Sequence, residues 1–347
     1  MEADLRNLEI RAKVLREIRA FLDARGFVEV ETPVRIAAPA PETHIDCPPV
    51  ATGGYLRASP ELQMKKLLAL GMDRLYQIGP CFREGERGSR HNPEFTMIEW
   101  YRKDATYLDI KDDLEWLLAE LHVSCPTSCV PKEEGRETLD WRRHFVTLRV
   151  REAYLRFAGW DPWEGDWDQD RFDFDMAMKI EPAIKEMGGG VFLMDYPPQA
   201  ASLAKLSIDS NSPATNHQPP TTNHQSPGTN HQSPSTKHPA PSTKHQAPGT
   251  KHQAPGTIYA ERWEFYYDGM ELANCFTELC DEAEQTRRFE QAKAERATFN
   301  EADYPIDSAF LQSLPLIGSA AGVALGVDRL VMVLTKAKDI ASVRVID

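Results

Sequence analysis

The sequence predicts an α+β fold, an antiparallel sheet made of hairpins and flanked by helices. Three observations carry that prediction. Trp263–Tyr267 and Met270–Phe276 are strand-like runs separated only by Asp268-Gly269, a strong hairpin signal. Leu75–Ile78 and Phe95–Tyr101 are two more, joined by a polar loop from Gly85 to Pro93. Helical periodicity flanks these hairpins rather than alternating with them, which favours segregated helices over parallel βαβ units.

Taken in chain order, residues 4–25 place Leu8, Ala12, Leu15, Ile18 and Leu22 at helical spacing, with Gly26 where a C-terminal cap belongs. Phe27-Val28-Glu29-Val30-Glu31 then alternates apolar and acidic residues as a half-buried strand does, until Pro33 stops it. Glu61–Leu70 reads as a short helix entered through Ser59-Pro60. Near the end, the glycine-rich run Gly322–Gly326 leads into a helix from about Asp328 to Lys338.

Composition sets the class. The 347 residues are 41% hydrophobic and 27% charged, ordinary for a soluble globular chain. No run approaches the roughly 20 apolar residues that span a membrane, and the first residues lack the order of a signal peptide, so a cytoplasmic protein is expected. A net charge of −13 argues against a broad phosphate-backbone footprint. The six cysteines, Cys125 and Cys129 included, lack zinc-site spacing and read as reduced, incidental thiols.

One segment stands apart. Within residues 209–257 a seven-residue unit repeats and sets His217, His224, His231, His238, His245 and His252 in strict register. Proline in every unit and scarce aliphatic side chains exclude a coiled coil. The expectation is a disordered Pro/His/Thr-rich insertion in a single catalytic domain spanning residues 1–347, rather than a metal tract. It enters just before the 264–271 hairpin. Loop-closure entropy grows slowly with length, so a surface turn should tolerate it.

Three segments and a helix start carry the chemistry. In Phe82–Phe95, Arg83 ends a strand and a loop with His91 and Asn92 follows. Arginine suits phosphate because its planar fork bonds two oxygens and stays charged, although a solvated hairpin has the same look. Alternation puts Phe95, Met97, Glu99 and Tyr101 on one face, and a carboxylate beside apolar side chains asks for a partner, either a bound ammonium or a structural arginine. Across the Asp268-Gly269 turn, Tyr266 should pair with Glu271, so Glu264 and Glu271 share a face and invite a hard divalent cation. Asn274, Phe276 and Glu278 fall on the opposite parity, and bringing them to the same pocket requires a bulge near Ala273. Finally, Gly326-Val327-Asp328-Arg329 opens a helix, whose free N–H groups suit an anion.

In this order the segments resemble the three signature motifs of class II aminoacyl-tRNA synthetases. The run ending at Pro33 looks like the first, a dimer-interface motif; Phe82-Arg83 and its loop look like the second; Gly326-Val327-Asp328-Arg329 looks like the third. Arg90–Met97 and Glu271–Leu279 are similar to the lysyl branch. Thr96–Arg102 and Gly322–Gly326 are similar to the elongation factor P–lysine ligases, in which Ala324 stands where lysyl-tRNA synthetases usually carry glycine. Gly85 holds the position of the second motif's usual carboxylate, with Glu86 following, and Cys275 replaces a frequent glycine.

That resemblance implies a class II catalytic core without an anticodon-binding domain, a homodimer, and ATP-dependent activation of (R)-β-lysine or lysine. The adenylate would then be passed to a lysine of elongation factor P, with no tRNA. It implies Arg83 on the α-phosphate and substrate carboxylate and Arg329 on the γ-phosphate, as the catalytic pair. Glu84, Gly85, His91, Asn92, Leu272 and Gly326 would complete the ATP site, with Glu264 and Glu271 on Mg²⁺. Ser59 and Glu61 would meet one amino group, Glu99, Tyr101 and Glu278 the distal one, and Asn274 would also bind substrate. The competing readings are a lysine-activating enzyme with another acceptor such as tRNA, and a non-catalytic amino acid sensor. A sensor would be expected to lose a phosphate-binding arginine or a metal carboxylate, and Arg83, Arg329, Glu264 and Glu271 are all present.

Overall fold

The structure, a computed structural model, describes residues 4–124, 145–209 and 256–345. The histidine repeat and the Cys125/Cys129 pair lie outside the described residues. The chain divides into two units, Met1–Ser207 with Ile258–Asp347, and Ile208–Thr257. The first unit holds the main sheet and the described helices that flank it.

Helix α1 (Leu5–Ala24) starts where the Asp4 carboxylate accepts the Arg6 amide at 2.9 Å, and it ends at Gly26, whose φ of +76° suits glycine. Its buried stripe is Val14, Ile18, Phe21 and Leu22. Ala12, expected on that stripe, is exposed, because the stripe runs one position out of the phase that Leu8 suggests. Strand β1 is only Val28–Glu29, and β2 (Arg35–Ile36) with β3 (Tyr55–Leu56) forms a separate ribbon. Helix α2 (Glu61–Ala69), β4 (Arg74–Phe82), β5 (Glu94–Lys103) and α3 (Tyr107–Ser124) come next.

After residue 145 come β6 (Val146–Arg149), α4 (Val150–Ala153), α5 (Gln169–Asp175), α6 (Glu181–Met187), β7 (Gly190–Tyr196) and β8 (Leu206–Asp209). The hairpin β9 (Thr257–Tyr267) and β10 (Met270–Thr277) turns on Asp268 and Gly269 with φ of +47° and +72°, the conformation Asp-Gly predicts. Helices α7 (Glu282–Thr298) and α8 (Ser308–Ile317), β11 (Ala320–Gly326) and α9 (Val327–Thr335) complete the unit.

The main sheet runs in the order β1-β4-β5-β11-β10-β9-β7-β6. Its centre is antiparallel, as expected, but β1 pairs with β4, and β6 with β7, in parallel. Each parallel pair is joined by a long helical crossover, the connection such pairs require.

Side-chain alternation splits this sheet into two faces. One face carries Tyr76, Ile98, Trp100, Val323, Leu325, Cys275, Trp263 and Phe265, all buried in one apolar cluster with Val14, Ile18 and Leu114 of α1 and α3. Trp263 Nε1 donates to the Tyr107 carbonyl at 2.6 Å, so its polar end is satisfied inside that core. Burying each large apolar side chain contributes about 1.5–3 kcal/mol, and this face anchors the fold. The residues one step out of phase point the other way. Gln77, Glu99, Asn274, Glu264 and Arg262 are among them, beside small and apolar neighbours, and they build the site.

Candidate active site

Following one row of partners across that second face, Gln77 lies opposite Glu99, Glu99 opposite Ala324, Ala324 opposite Asn274, and Asn274 opposite Glu264. The next row is Tyr101, Gly322, Phe276 and Arg262. The register between β9 and β10 shifts between Glu271 and Ala273. Leu272 is thus the extra residue, and the expected bulge is present. Glu271 stays opposite Tyr266, and Asn274 and Phe276 join it on one face. Ser59, Glu61, Arg83, His91, Asn92, Glu99, Tyr101, Glu264, Glu271, Leu272, Asn274, Gly326 and Arg329 all line one cavity of about 290 Å³.

At one end of it Glu99 is 1% exposed. Ser59 Oγ donates to one of its oxygens at 2.6 Å and Tyr101 OH to the other at 2.8 Å. Burial, then the nearby charge of Glu61, pushes the Glu99 carboxyl up to about 7. The Tyr101 ring occupies the space above Gly322, where a Cβ would come 2.2 Å from two ring carbons. Only glycine fits there.

At the other end Arg329 donates to His91 Nε2 at 2.5 Å, to the Glu271 carbonyl at 2.9 Å and to Glu271 Oε2 at 3.2 Å. Burial and then Arg329 hold His91 below the usual histidine range, so it accepts as the neutral ring. Arg83 sits 5.2 Å over the Phe95 ring and pairs with Glu86 at 3.4 Å, while its buried Nε makes no hydrogen bond among the described residues. A buried donor without an acceptor is costly, and an anion in the cavity would supply one.

Glu264 accepts from Arg262 Nη2 and from Tyr266 OH, both at 2.6 Å. Burial and then Glu264 raise the Glu271 carboxyl. Two carboxylates that disfavour each other on one face are a donor set suited to a hard divalent cation.

Three expected residues fall outside the cavity wall. Glu84 and Gly85 are exposed, and the Glu84 amide is tied to the Asp46 carbonyl at 2.8 Å. With Gly85 at a φ of +79°, the loop turns so that Glu86 faces inward instead. Glu278 is 3% exposed behind the wall, in an ion pair with Lys65.

Sequence reasoning assigns no role to Arg262, which donates to Asn274 Oδ1 at 3.1 Å and lies 4.4 Å over the Tyr196 ring. Nor does it find Glu42, whose loop is held down by Arg296, buried and bonded to the carbonyls of Glu42 and Ile45 and to Asp46. Asp328 stands in the third motif beside Arg329 but has a task of its own. It receives Arg11 at 2.5 Å and the Thr96 amide at 2.7 Å, fixing the start of α9 against α1 and β5. No pattern shorter than the whole fold connects these residues.

The chain matches the family of class II tRNA synthetases (D, K and N) over residues 2–346. It is 33% identical over 360 residues to an elongation factor P–(R)-β-lysine ligase of Erwinia tasmaniensis, covering 98% of this chain and 94% of the relative. It is 33% identical over 364 residues to the ligase of that name from Edwardsiella ictaluri, with the same coverage. That of Hamiltonella defensa is 30% identical over 363 residues, again covering 98% and 94%. The chain therefore belongs to the class II tRNA synthetases (D, K and N), in the branch that holds the elongation factor P–(R)-β-lysine ligases.

Proposed function

We propose that this protein uses ATP to activate (R)-β-lysine or lysine as an adenylate and transfers it to a lysine side chain of elongation factor P. One observation carries the reading. A single cavity has the guanidiniums of Arg83 and Arg329 on its wall together with the carboxylates of Glu61 and Glu99. Such a cavity suits a molecule with an anionic group to activate and amines to anchor. A neutral amino acid brings a single ammonium and needs only one such carboxylate. The relatives' names point to the same substrate and acceptor.

The chemistry rests on position and charge more than on an acid-base side chain. The amino acid carboxylate attacks the ATP α-phosphorus, the bond to the bridging oxygen breaks, and pyrophosphate leaves. Arg83 would neutralise charge at the α-phosphate and Arg329 at the γ-phosphate, while Glu99 and Glu61 hold the amines. Mg²⁺ would sit on Glu264 and Glu271 and neutralise phosphate charge when bound. The acceptor's ε-amino group then attacks the activated carbonyl, AMP departs, and an amide and a proton are released. On the same reading the enzyme is a cytoplasmic homodimer acting on a protein rather than tRNA, in keeping with a net charge of −13.

The test is ATP–pyrophosphate exchange by purified protein with L-lysine, (R)-β-lysine or no amino acid. Exchange that requires one of the lysines supports the reading, and the better isomer names the substrate. Folded, ATP-binding protein that exchanges with neither would sink it.

A further inference from the structure

Lys65 takes no part in these reaction steps, yet it is a fully enclosed cation beside the cavity, 1% exposed on α2. Its ammonium pairs with Glu61 Oε1 at 2.5 Å and with Glu278 Oε2, and lies 5.1 Å from the Phe276 ring. Burial opposes its charge, but Glu278 and Glu61 outweigh burial and hold its pKa above that of an ordinary lysine. It is therefore always an ammonium.

The surrounding groups are unevenly matched. Glu99, from β5, accepts from the neutral hydroxyls of Ser59 and Tyr101, and Lys65 acts on it through its charge. Glu278 keeps one buried oxygen, Oε1, with no hydrogen-bond partner among the described residues. Burial raises the Glu278 carboxyl even though Lys65 draws it down. Glu42, on the loop after β2, is raised by burial and by Glu61, and it has Arg83, then Arg262 and Lys65 as counter-charges. The amine end thus holds three carboxylates, Glu61, Glu99 and Glu278, and one cation of its own.

We propose that Lys65 is a positioning residue that sets the charge count of this pocket, permanently neutralising one of its three carboxylates and leaving two for the two ammonium groups of a diamino acid. The inference rests on the lysine-type reading of the site and adds a reason for its selectivity. A substrate with a single ammonium leaves one buried carboxylate unmatched, which is strongly unfavourable.

The count predicts an unusual pattern in a double-mutant cycle. Lys65→Met leaves one negative charge too many for lysine, and Glu278→Gln leaves one too few. The double variant Lys65→Met/Glu278→Gln restores the balance and exchanges a buried ion pair for a neutral one, a change that folded proteins tolerate.

Calorimetric affinity for L-lysine and L-norleucine at pH 7.5, on the full chain, reads this out without needing turnover. Each single variant should bind lysine at least tenfold more weakly than the wild type, and the double variant should bind it tighter than either. Lys65→Met should also release more protons on binding, measured in two buffers of different ionisation heat. Should Lys65→Met fail to fold, adding it to Glu278→Gln still decides: tighter binding supports the count, weaker binding overturns it. Wild-type affinity for lysine no better than for norleucine overturns it as well. Wild-type protein that binds lysine but catalyses no pyrophosphate exchange would sink adenylation alone.

Discussion

At one end of the cavity Glu99 and Tyr101 rise from the middle of β5, 1% and 3% exposed, their positions set by pairing to β4 and β11 on both sides. At the other end Arg90 and His91 are exposed on the loop between β4 and β5, and Arg329 stands at the first turn of α9. Even the charges are handled differently. The first end keeps Glu99 and Glu278 buried and Glu61 nearly so, with hydroxyls or an ammonium for partners, while at the second Arg329 is partnered by His91 and Glu271. On the proposed reading the first end is preorganised to select amines, and the second is open to a large, highly charged ligand.

Arg83 lines the same cavity as both groups and tests the contrast most severely. Arg83→Ala should reduce exchange roughly 10²–10³-fold, the scale of losing one donor aimed at developing charge, and it should raise the KM of both substrates. A variant with only its ATP KM changed would show that the amino acid carboxylate is held elsewhere. Next comes Glu99→Gln, which keeps the side-chain shape and one accepted hydroxyl bond, turns the other hydroxyl into an acceptor, and removes the charge. Leaving an ammonium without its counter-charge should weaken lysine about 10²-fold and leave the ATP KM alone. If lysine and ATP suffer equally, the two ends are not separate.

The centre of this site was legible in the sequence because strand parity is rigid. Glu264, Glu271 and Asn274 can meet on one face only if the strand bulges between them, and the bulge sits at Leu272. The Asp-Gly turn set the hairpin register in the same way. Lys65 and Arg262 were not legible. A lysine on a short amphipathic helix reads as solvated surface, and it is the folded sheet, with Phe276 and Glu278 against it, that encloses it. The parallel pairings β1–β4 and β6–β7 escaped as well: alternation marks Phe27–Glu31 as a strand but does not say which strand it joins, and β6 is only four residues long. Glu84 and Gly85, expected at the ATP site from the resemblance, stand outside the cavity wall, where the positive φ of Gly85 turns Glu86 inward instead.

Acidity sharpens the contrast further. With its carboxyl near 7, Glu99 is protonated below that pH and ionised above it. Only the ionised form matches an ammonium. Lysine kcat/KM should therefore fall about tenfold between pH 8 and pH 6, and Glu99→Gln should flatten the profile. The ATP KM should stay nearly level over this range, since arginine remains charged and His91, held below the usual histidine range, is already neutral over most of it. An equal slope in both substrates would assign the ionisation to a group they share.

The smallest effect belongs to His91. It accepts one hydrogen bond from Arg329 at an exposed edge, and such a bond contributes about 0.5–1.5 kcal/mol. His91→Ala should raise the ATP KM roughly threefold to tenfold, with lysine selectivity and the pH profile unchanged. Water can replace the ring at that edge, which it cannot do at Glu99. A loss as large as that of Glu99→Gln would mean that the loop closes over the nucleotide and buries His91, and the phosphate end would then be as enclosed as the amine end once both substrates are bound.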